Sequence, residues 1–324
     1  MRMKNLTHYD IIADIHGRFD KLTALMARMG YTRAGDGFIP PADHKALFLG
    51  DLIDTKPGHP FPGGIRATLR AVKAMCDRGD ALCLMGNHEL NAIYFHSKGP
   101  DGRWLRVHGD KNIRMHEGTL ADFPDHLDPA GEWLTVWLPW MKRLPFFLEF
   151  EGFRAVHATW HPEIIDRIAG LNLECPDFFL AASAKHTTEG KALETLLKGV
   201  EVKLPDSIRF KDHSGAYRGN IRARWWELPN GGIGYDGLVF PANPAIPAER
   251  VSEESFSKIP GYNPDSPPVF FGHYFKPAHS PLHPERHNVA CLDHSAASNG
   301  PLVAYRWKGE ARIKAEHYVK SHEN

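Results

Sequence analysis

The stretch Phe48-Leu49-Gly50-Asp51-Leu52-Ile53-Asp54 decides the fold. Its apolar start reads as a strand, Gly50 as the turn that ends it, and Asp51 and Asp54 as carboxylates delivered three residues apart. The same device occurs on either side. Ile11 and Ile12 run into Asp14-Ile15-His16-Gly17, and Leu82 to Met85 run into Gly86-Asn87-His88-Glu89. Two amphipathic helices separate the three strands. Phe19, Leu22, Leu25, Met26 and Met29 recur at helical spacing up to Gly30, and Ile65, Leu69, Val72 and Met75 do so up to Gly79. This β–α–β–α–β rhythm predicts parallel strands with crossover helices. Ligands in such sheets gather at the carboxyl ends of the strands, and all three polar turns lie there. Their Asp, His and Asn side chains are expected to meet at one sheet edge. Hard oxygen and imidazole donors suit divalent cations, with Asp51 at the centre, bridging two of them.

Downstream, 91–127 reads as a helix followed by loops. Residues 132–142 are apolar at helical spacing, interrupted by Pro139, and Phe146–Phe150 with Phe153–His157 read as a hairpin ending in a histidine. The stretch 161–267 differs in character. It holds three short helical segments, then Arg218, Arg222, Arg224 and Trp225-Trp226, then a proline-rich run from Pro241 to Pro268. It reads as an insertion or cap on a core formed by 1–160 and 268–324. Strand patterning returns at Val269–Phe271, which ends in Gly272-His273, and at Asn288–Leu292, which ends in Asp293-His294. Residues 302–307 and 311–318 alternate like antiparallel strands.

Lys+Arg and Asp+Glu both number 39, so the chain lacks the cationic surplus that phosphate-neutralising nucleic-acid binders need. Nucleic acid is not the expected partner. The four cysteines form no paired spacing, which suits reduced thiols in the cytoplasm. No apolar segment precedes the first strand and no run reaches a membrane span, so no membrane association is expected. Among the 20 histidines, those outside the strand-end motifs, such as His96, His108, His116, His126 and His279, read as ordinary core or surface residues.

Two divalent ions sharing a carboxylate can neutralise a phosphoryl group and lower the pKa of a water, so a nucleophile exists at neutral pH. The chain offers no serine elbow, no catalytic cysteine signature and no GxxxxGK[ST] loop to compete with that chemistry. Asp, Asn and Gly are also common turn formers. Three motifs in order, followed by two histidines at strand ends, outweigh that reading.

DIHG, GDLID, GNHE, a later histidine after a strand and then GH together resemble the calcineurin-like metallophosphoesterases. The nearer resemblance is to the branch that holds serine/threonine protein phosphatases and bacterial symmetrical dinucleoside-tetraphosphatases. It covers roughly 8–160 and 269–310. The resemblance implies a four-layer α/β fold, two sheets face to face with helices outside. It implies that Asp14 and His16 bind one metal, that Asp51 bridges, and that Asn87, His157 and His273 bind the second. His88 would be the general acid for the leaving group, oriented by Asp54, and Asn87 would also touch substrate. Mn²⁺ is implied, with Fe or Zn²⁺ compatible with the same donors.

Two departures stand out. Many relatives carry GHxH, whereas Phe275 occupies the place of the second histidine, as in the protein phosphatase branch. That branch also has a phosphate-gripping arginine after the second Asp of GDxxD, where Thr55 stands here. Lys56, Arg18, Arg222 and Arg224 are the candidates to supply the charge, and His294 a candidate to line the site. The function expected is hydrolysis of a phosphate ester or anhydride by direct attack of a hydroxide held between two metals. The substrate would be a phosphoprotein or a dinucleoside polyphosphate. A nuclease or polynucleotide phosphatase, and a metal-binding regulatory module without catalysis, are the alternatives.

Overall fold

The computed structural model describes residues 8–211, 217–228 and 232–322. Strand β1 (His8–Ile12) leads through helix α1 (Phe19–Arg28) and a short hairpin, β2 (Thr32–Ala34) and β3 (Gly37–Ile39), to β4 (His44–Phe48). Helix α2 (Gly64–Arg78) returns the chain to β5 (Ala81–Cys83). The strands β1, β4 and β5 are parallel, with Ile12 opposite Phe48 and Phe48 opposite Cys83. The alternating rhythm of the sequence demands this arrangement. Next come α3 (Asn87–Phe95), α4 (Asp110–Asp122), a π-helical turn (Trp133–Trp137) that runs into α5 (Leu138–Lys142), and the antiparallel pair β6 (Phe147–Glu149) and β7 (Arg154–Val156).

The stretch 161–267 begins with α6 (Pro162–Ile168), α7 (Pro176–Ser183) and α8 (Thr188–Lys198). It continues through β8 (Glu201–Lys203), β9 (Phe210–Lys211), β10 (Tyr217–Arg218), β11 (Asn220–Arg222), α9 (Tyr235–Leu238) and α10 (Glu253–Phe256). The core is completed by β12 (Val269–Phe271), β13 (Val289–Cys291), β14 (Val303–Trp307) and β15 (Tyr318–Lys320).

Two large sheets result, ordered β15-β14-β1-β4-β5 and β13-β12-β7-β6, beside the two-stranded pairs β2-β3, β8-β11 and β9-β10. Aromatic rings join them face to face. Phe270 of β12 lies 4.8 Å from Tyr305 of β14, and Tyr9 of β1 lies 4.8 Å from Phe150 beyond β6. Phe270 and Tyr305 are fully buried, and rings of this size carry much of a core's transfer free energy. This is the mixed α/β, two-sheet architecture that the motifs imply. The stretch 161–267 rests directly on it: Leu196 O of α8 accepts from Ala158 N and Thr159 N just after β7, and Trp225 packs 5.3 Å from Phe271 of β12.

Two segment readings need correction. Residues 110–122 form α4 where loops were expected, because this helix buries His116 and Thr119 rather than an apolar stripe. Residues 311–318 are not a strand. Only Ile313 and Tyr318 are buried there, five apart, which breaks the alternation, and β15 starts at Tyr318.

The fold positions the site through one close approach. Gly50, after β4, has φ +96°, and a Cβ there would strike the Gly86 backbone, while a Cβ on Gly86 would strike Asp51. The ends of β4 and β5 therefore touch as bare main chain. Gly58 also has a positive φ (+82°) but nothing within 4 Å of its virtual Cβ. Gly58→Ala should cost only the left-handed conformation, about 1–2 kcal/mol. Gly50→Ala should lose several times more in denaturant unfolding, and equal losses would refute this account.

Candidate metal centre

The ends of β1, β4 and β12 deliver their side chains by way of unusual backbone. His16 (φ 50°), Asp51 (φ 51°), Asp54 (φ 63°) and His273 (φ 64°) are all non-glycine residues in the left-handed region. Such residues are strained and persist only where the surroundings hold them. Those holds are visible. Ile15 N and His16 N donate to Asp51 O (3.0 and 2.9 Å), which ties the first turn to the second. Glu89, on α3, is fully buried and accepts from Asp51 N and Leu52 N (2.8 Å each) and Gly86 N (2.9 Å). The N-terminus of α3 also donates His88 N to Asp51 Oδ1 at 2.9 Å, a favourable place for a carboxylate.

Asp51 Oδ2 consequently stands among three imidazoles: 3.5 Å from His157 Nε2, 3.7 Å from His16 Nε2 and 4.0 Å from His88 Nε2. Two rings are oriented by main-chain carbonyls. His157 Nδ1 faces Leu49 O (2.8 Å), and His16 Nδ1 faces Ile53 O and Asp54 O (3.1 and 2.9 Å). In both, Nδ1 carries a hydrogen toward the carbonyl, and Nε2 is the nitrogen turned toward the cluster. Two groups of potential ligand atoms lie within 4.8 Å of one another, His16–Asp51–His88 and Asp51–His157–His273, and Asp51 belongs to both.

The donor set fits cations. The Asn87 amide presents one end at 2.6 Å from His273 Nδ1 and 3.2 Å from His157 Nε2. With oxygen at that end, the amide turns an acceptor toward both ring nitrogens, an arrangement that a cation between them would satisfy. With the amide nitrogen there, its hydrogens satisfy them instead. Asp14 belongs to neither triad. Its Oδ2 accepts from His273 N (2.9 Å), while its buried Oδ1 has no hydrogen-bond partner. Gly272 makes this contact possible, because a Cβ there would strike Asp14 Oδ1.

The electrostatics agree. Burial, then the Asp293 charge, pushes the Asp14 carboxyl well above the ordinary range. Burial pulls Asp51 the same way but is outweighed by His157 and His88, which hold it well below. Burial lowers His157 and His88, yet Asp51, joined at His88 by Asp54, drives them up to about 10 and about 9. Positive charge is strongly favoured around Asp51, whereas at Asp14 the His157 charge is outweighed by burial and Asp293.

His88 Nδ1 is bound to Asp54 Oδ2 at 2.8 Å. The other oxygen of Asp54 accepts from His116 Nδ1 and Thr119 Oγ1, both at 2.6 Å. His116 is therefore no ordinary core histidine, and the reading that set it aside is corrected. The signal was the pair His116 and Thr119 at i, i+3, which share one face of a helix.

Thr55 is buried against α4, and a Cβ on Gly118 would strike its hydroxyl, so an arginine has no room there. The structure does not bring Arg18 to the cluster: its guanidinium is bidentate to Asp20 and also reaches Ser298 O. Lys56 is exposed in its loop. Arg222 does approach, 5.0 Å above the Phe275 ring and close enough for its charge to depress His273 after burial has done so. Phe275, where GHxH would carry histidine, is thus a platform for an arginine. Arg224 keeps a buried Nε without a partner. His294 is buried with both ring nitrogens unpartnered, and the charges that act on it are Lys276 and His283 rather than the cluster. Its neighbour Asp293, not singled out in the sequence, is the group whose charge reaches Asp14 and His16.

The family model described as calcineurin-like phosphoesterase matches residues 8–203. The chain belongs to the calcineurin-like phosphoesterase family. An asymmetrical bis(5'-nucleosyl)-tetraphosphatase of Bacillus subtilis is 34% identical over 91 residues, a match that spans 28% of this chain and 34% of that protein. A symmetrical bis(5'-nucleosyl)-tetraphosphatase of Vibrio campbellii is 26% identical over 310 residues, spanning 92% and 94%. The structure of a cold-active protein-tyrosine phosphatase from a Shewanella species superposes with a TM-score of 0.45 at 15% identity, covering 98% of this chain and 81% of that one. Among the described residues no helix is long and apolar enough to cross a membrane.

Glu89→Ala removes the acceptor of three buried main-chain N–H groups. A loss of about 3–6 kcal/mol follows from the roughly 1–3 kcal/mol cost of each orphaned group, discounted for water entry. Chemical denaturation checks it, and a loss below about 1 kcal/mol would show that the strand ends do not depend on this side chain.

Proposed function

We propose that the chain is a metal-dependent phosphohydrolase acting on phosphate esters and anhydrides, with dinucleoside polyphosphates its first substrate class. The observation that carries this reading is the sharing of Asp51 by two groups of ligand atoms, with the His88–Asp54 pair directly beside them. The long match to the symmetrical tetraphosphatase of Vibrio campbellii supports the substrate class.

Asp14, His16 and Asp51 would hold one divalent ion, and Asp51, Asn87, His157 and His273 a second. Mn²⁺ is the first choice for both, with Fe or Zn²⁺ also suited to these donors. Bound ions would supply Lewis acidity toward phosphoryl oxygens and a water of lowered pKa. The protein's own part is to place a proton. His88 has its Nδ1 occupied by Asp54, so Nε2 is the atom that faces the cluster and would protonate the leaving oxygen. Asp54 fixes the ring, and His116 and Thr119 fix Asp54. Arg222 would grip phosphate oxygens from the His273 side, its plane set by Phe275. In the same reading 161–267 is a cap that carries Arg222 over a core of 1–160 and 268–324. The free cysteines support the cytoplasm as the compartment.

With Mn²⁺ added, p-nitrophenyl phosphate, its bis-ester and diadenosine tetraphosphate separate monoester, diester and anhydride activity. Asp51→Asn should abolish turnover on each substrate, and full activity in that variant would overturn the mechanism. His88→Asn should lower kcat by about 10²–10⁴-fold, the usual share of general acid–base catalysis. His116→Ala, which acts through Asp54, should cost roughly 10–100-fold in kcat, as groups that orient a catalytic residue do. A rise in KM alone would assign His116 to substrate binding instead. Chelation followed by elemental analysis should show two ions per chain lost and regained with activity.

A further inference from the structure

The segment between α3 and α4 carries a cation that nothing above employs. Arg106 lies on the strap 97–109, which is fastened to the end of α3 by Leu105 N to Ser97 O (2.9 Å) and Arg106 N to Tyr94 O (3.1 Å). A stack of rings fixes the strap further, Trp104 on His108 at 4.6 Å and His108 on Phe95 at 3.8 Å. The Arg106 side chain is half-buried, and its Nη1 donates to Asn91 Oδ1 at 2.9 Å. Asn91 stands on α3 three residues beyond His88, one helical turn along the same face.

Arg106 and Asn91 line a notch together with His88, Asp54, His116 and Asn112. The open space in the notch is about 10 Å³. That is room for a single water, so an oxygen can seat at the mouth but a sugar or base cannot enter. Among the described residues no carboxylate lies within 4.0 Å of Arg106. The two whose charge it feels are engaged elsewhere, Asp54 with His88, His116 and Thr119, and Glu194 with Lys198. A half-buried guanidinium with one amide partner and four N–H donors to spare is poorly compensated unless an anion completes it. It lines a notch with His88, whereas Arg222 acts on His273.

We propose that Arg106, aimed by Asn91, binds a phosphate oxygen of the leaving group, so that the site selects substrates whose leaving group itself carries phosphate. The proposal rests on the hydrolase reading and on His88 serving the leaving oxygen. It accounts for the missing arginine at Thr55 differently from a simple replacement. The charge stands beyond His88, where a nucleotide leaving group has phosphate and a serine side chain or an aryl group has none. The site is thereby biased toward phosphoanhydrides.

The test compares diadenosine tetraphosphate with p-nitrophenyl phosphate in the Mn²⁺-supplied protein. In Arg106→Ala the ratio of kcat/KM for the anhydride to that for the aryl ester should fall about 10–100-fold, the worth of one charge-assisted hydrogen bond. Arg106→Lys should fall less. Asn91→Asp, which offers Arg106 a carboxylate partner in place of the substrate, should reproduce the shift, and it decides the matter should Arg106→Ala fail to fold. An unchanged ratio in the folded variants would overturn the proposal. Calorimetric titration of ADP, with and without Mn²⁺, gives a reading independent of turnover: Arg106→Ala should weaken binding at least about tenfold. If the wild type hydrolyses neither substrate, the hydrolase reading fails while the ADP titration still judges Arg106. Binding that ignores Arg106, or no ADP binding by the wild type, overturns the proposal.

Discussion

The contact between the Gly50 and Gly86 main chains is the constraint on which the rest of the structure depends. It brings two parallel strands to a meeting at their carboxyl ends with no side chain between them. Only then can the first turn of α3 lie on Asp51, and only then can Glu89 reach back to three amides. A fully buried carboxylate is expensive to desolvate, and hydrogen bonds from three N–H groups offset that cost. The strained φ of Asp51 is held in place by the same bonds. Strain, burial and precision of placement thus share one cause.

The charge distribution follows from that geometry. Asp14, Asp51, Asp54, Glu89 and Asp293 are all buried, close to four imidazoles from four different strand ends and turns. Neighbouring carboxyls are pushed in opposite directions, Asp51 down by histidines and Asp14 up by burial and Asp293. The division tracks which acids have an imidazole partner. The fold has therefore gathered five buried carboxyls and their imidazole neighbours in one cluster, a donor set suited to multivalent cations.

Sequence patterning made the centre of the site legible because its residues follow apolar strands and carry glycine beside them. Those signals, the β–α–β–α–β rhythm and the motif residues, depend on spacing within a few positions. What surrounds the centre was less legible, since it arrives from afar. His116 and Thr119 sit on a helix whose buried face is polar, so no apolar period announces it. Glu89 was visible within its motif, but its role depends on amides 37 and 38 residues away. Arg106 lies on an irregular strap, and Arg18 looked well placed until Asp20 claimed two of its three nitrogens. Long-range pairing of polar groups leaves no period to read.

The two-ended character of the Asn87 amide has a consequence for how such a centre endures. Its oxygen suits a cation and its nitrogen suits the bare rings of His157 and His273, so a half-turn about one side-chain bond exchanges the two conditions. Neither condition leaves those ring nitrogens facing an unmatched lone pair. At this position a change of occupant is answered by which end of one amide is turned inward.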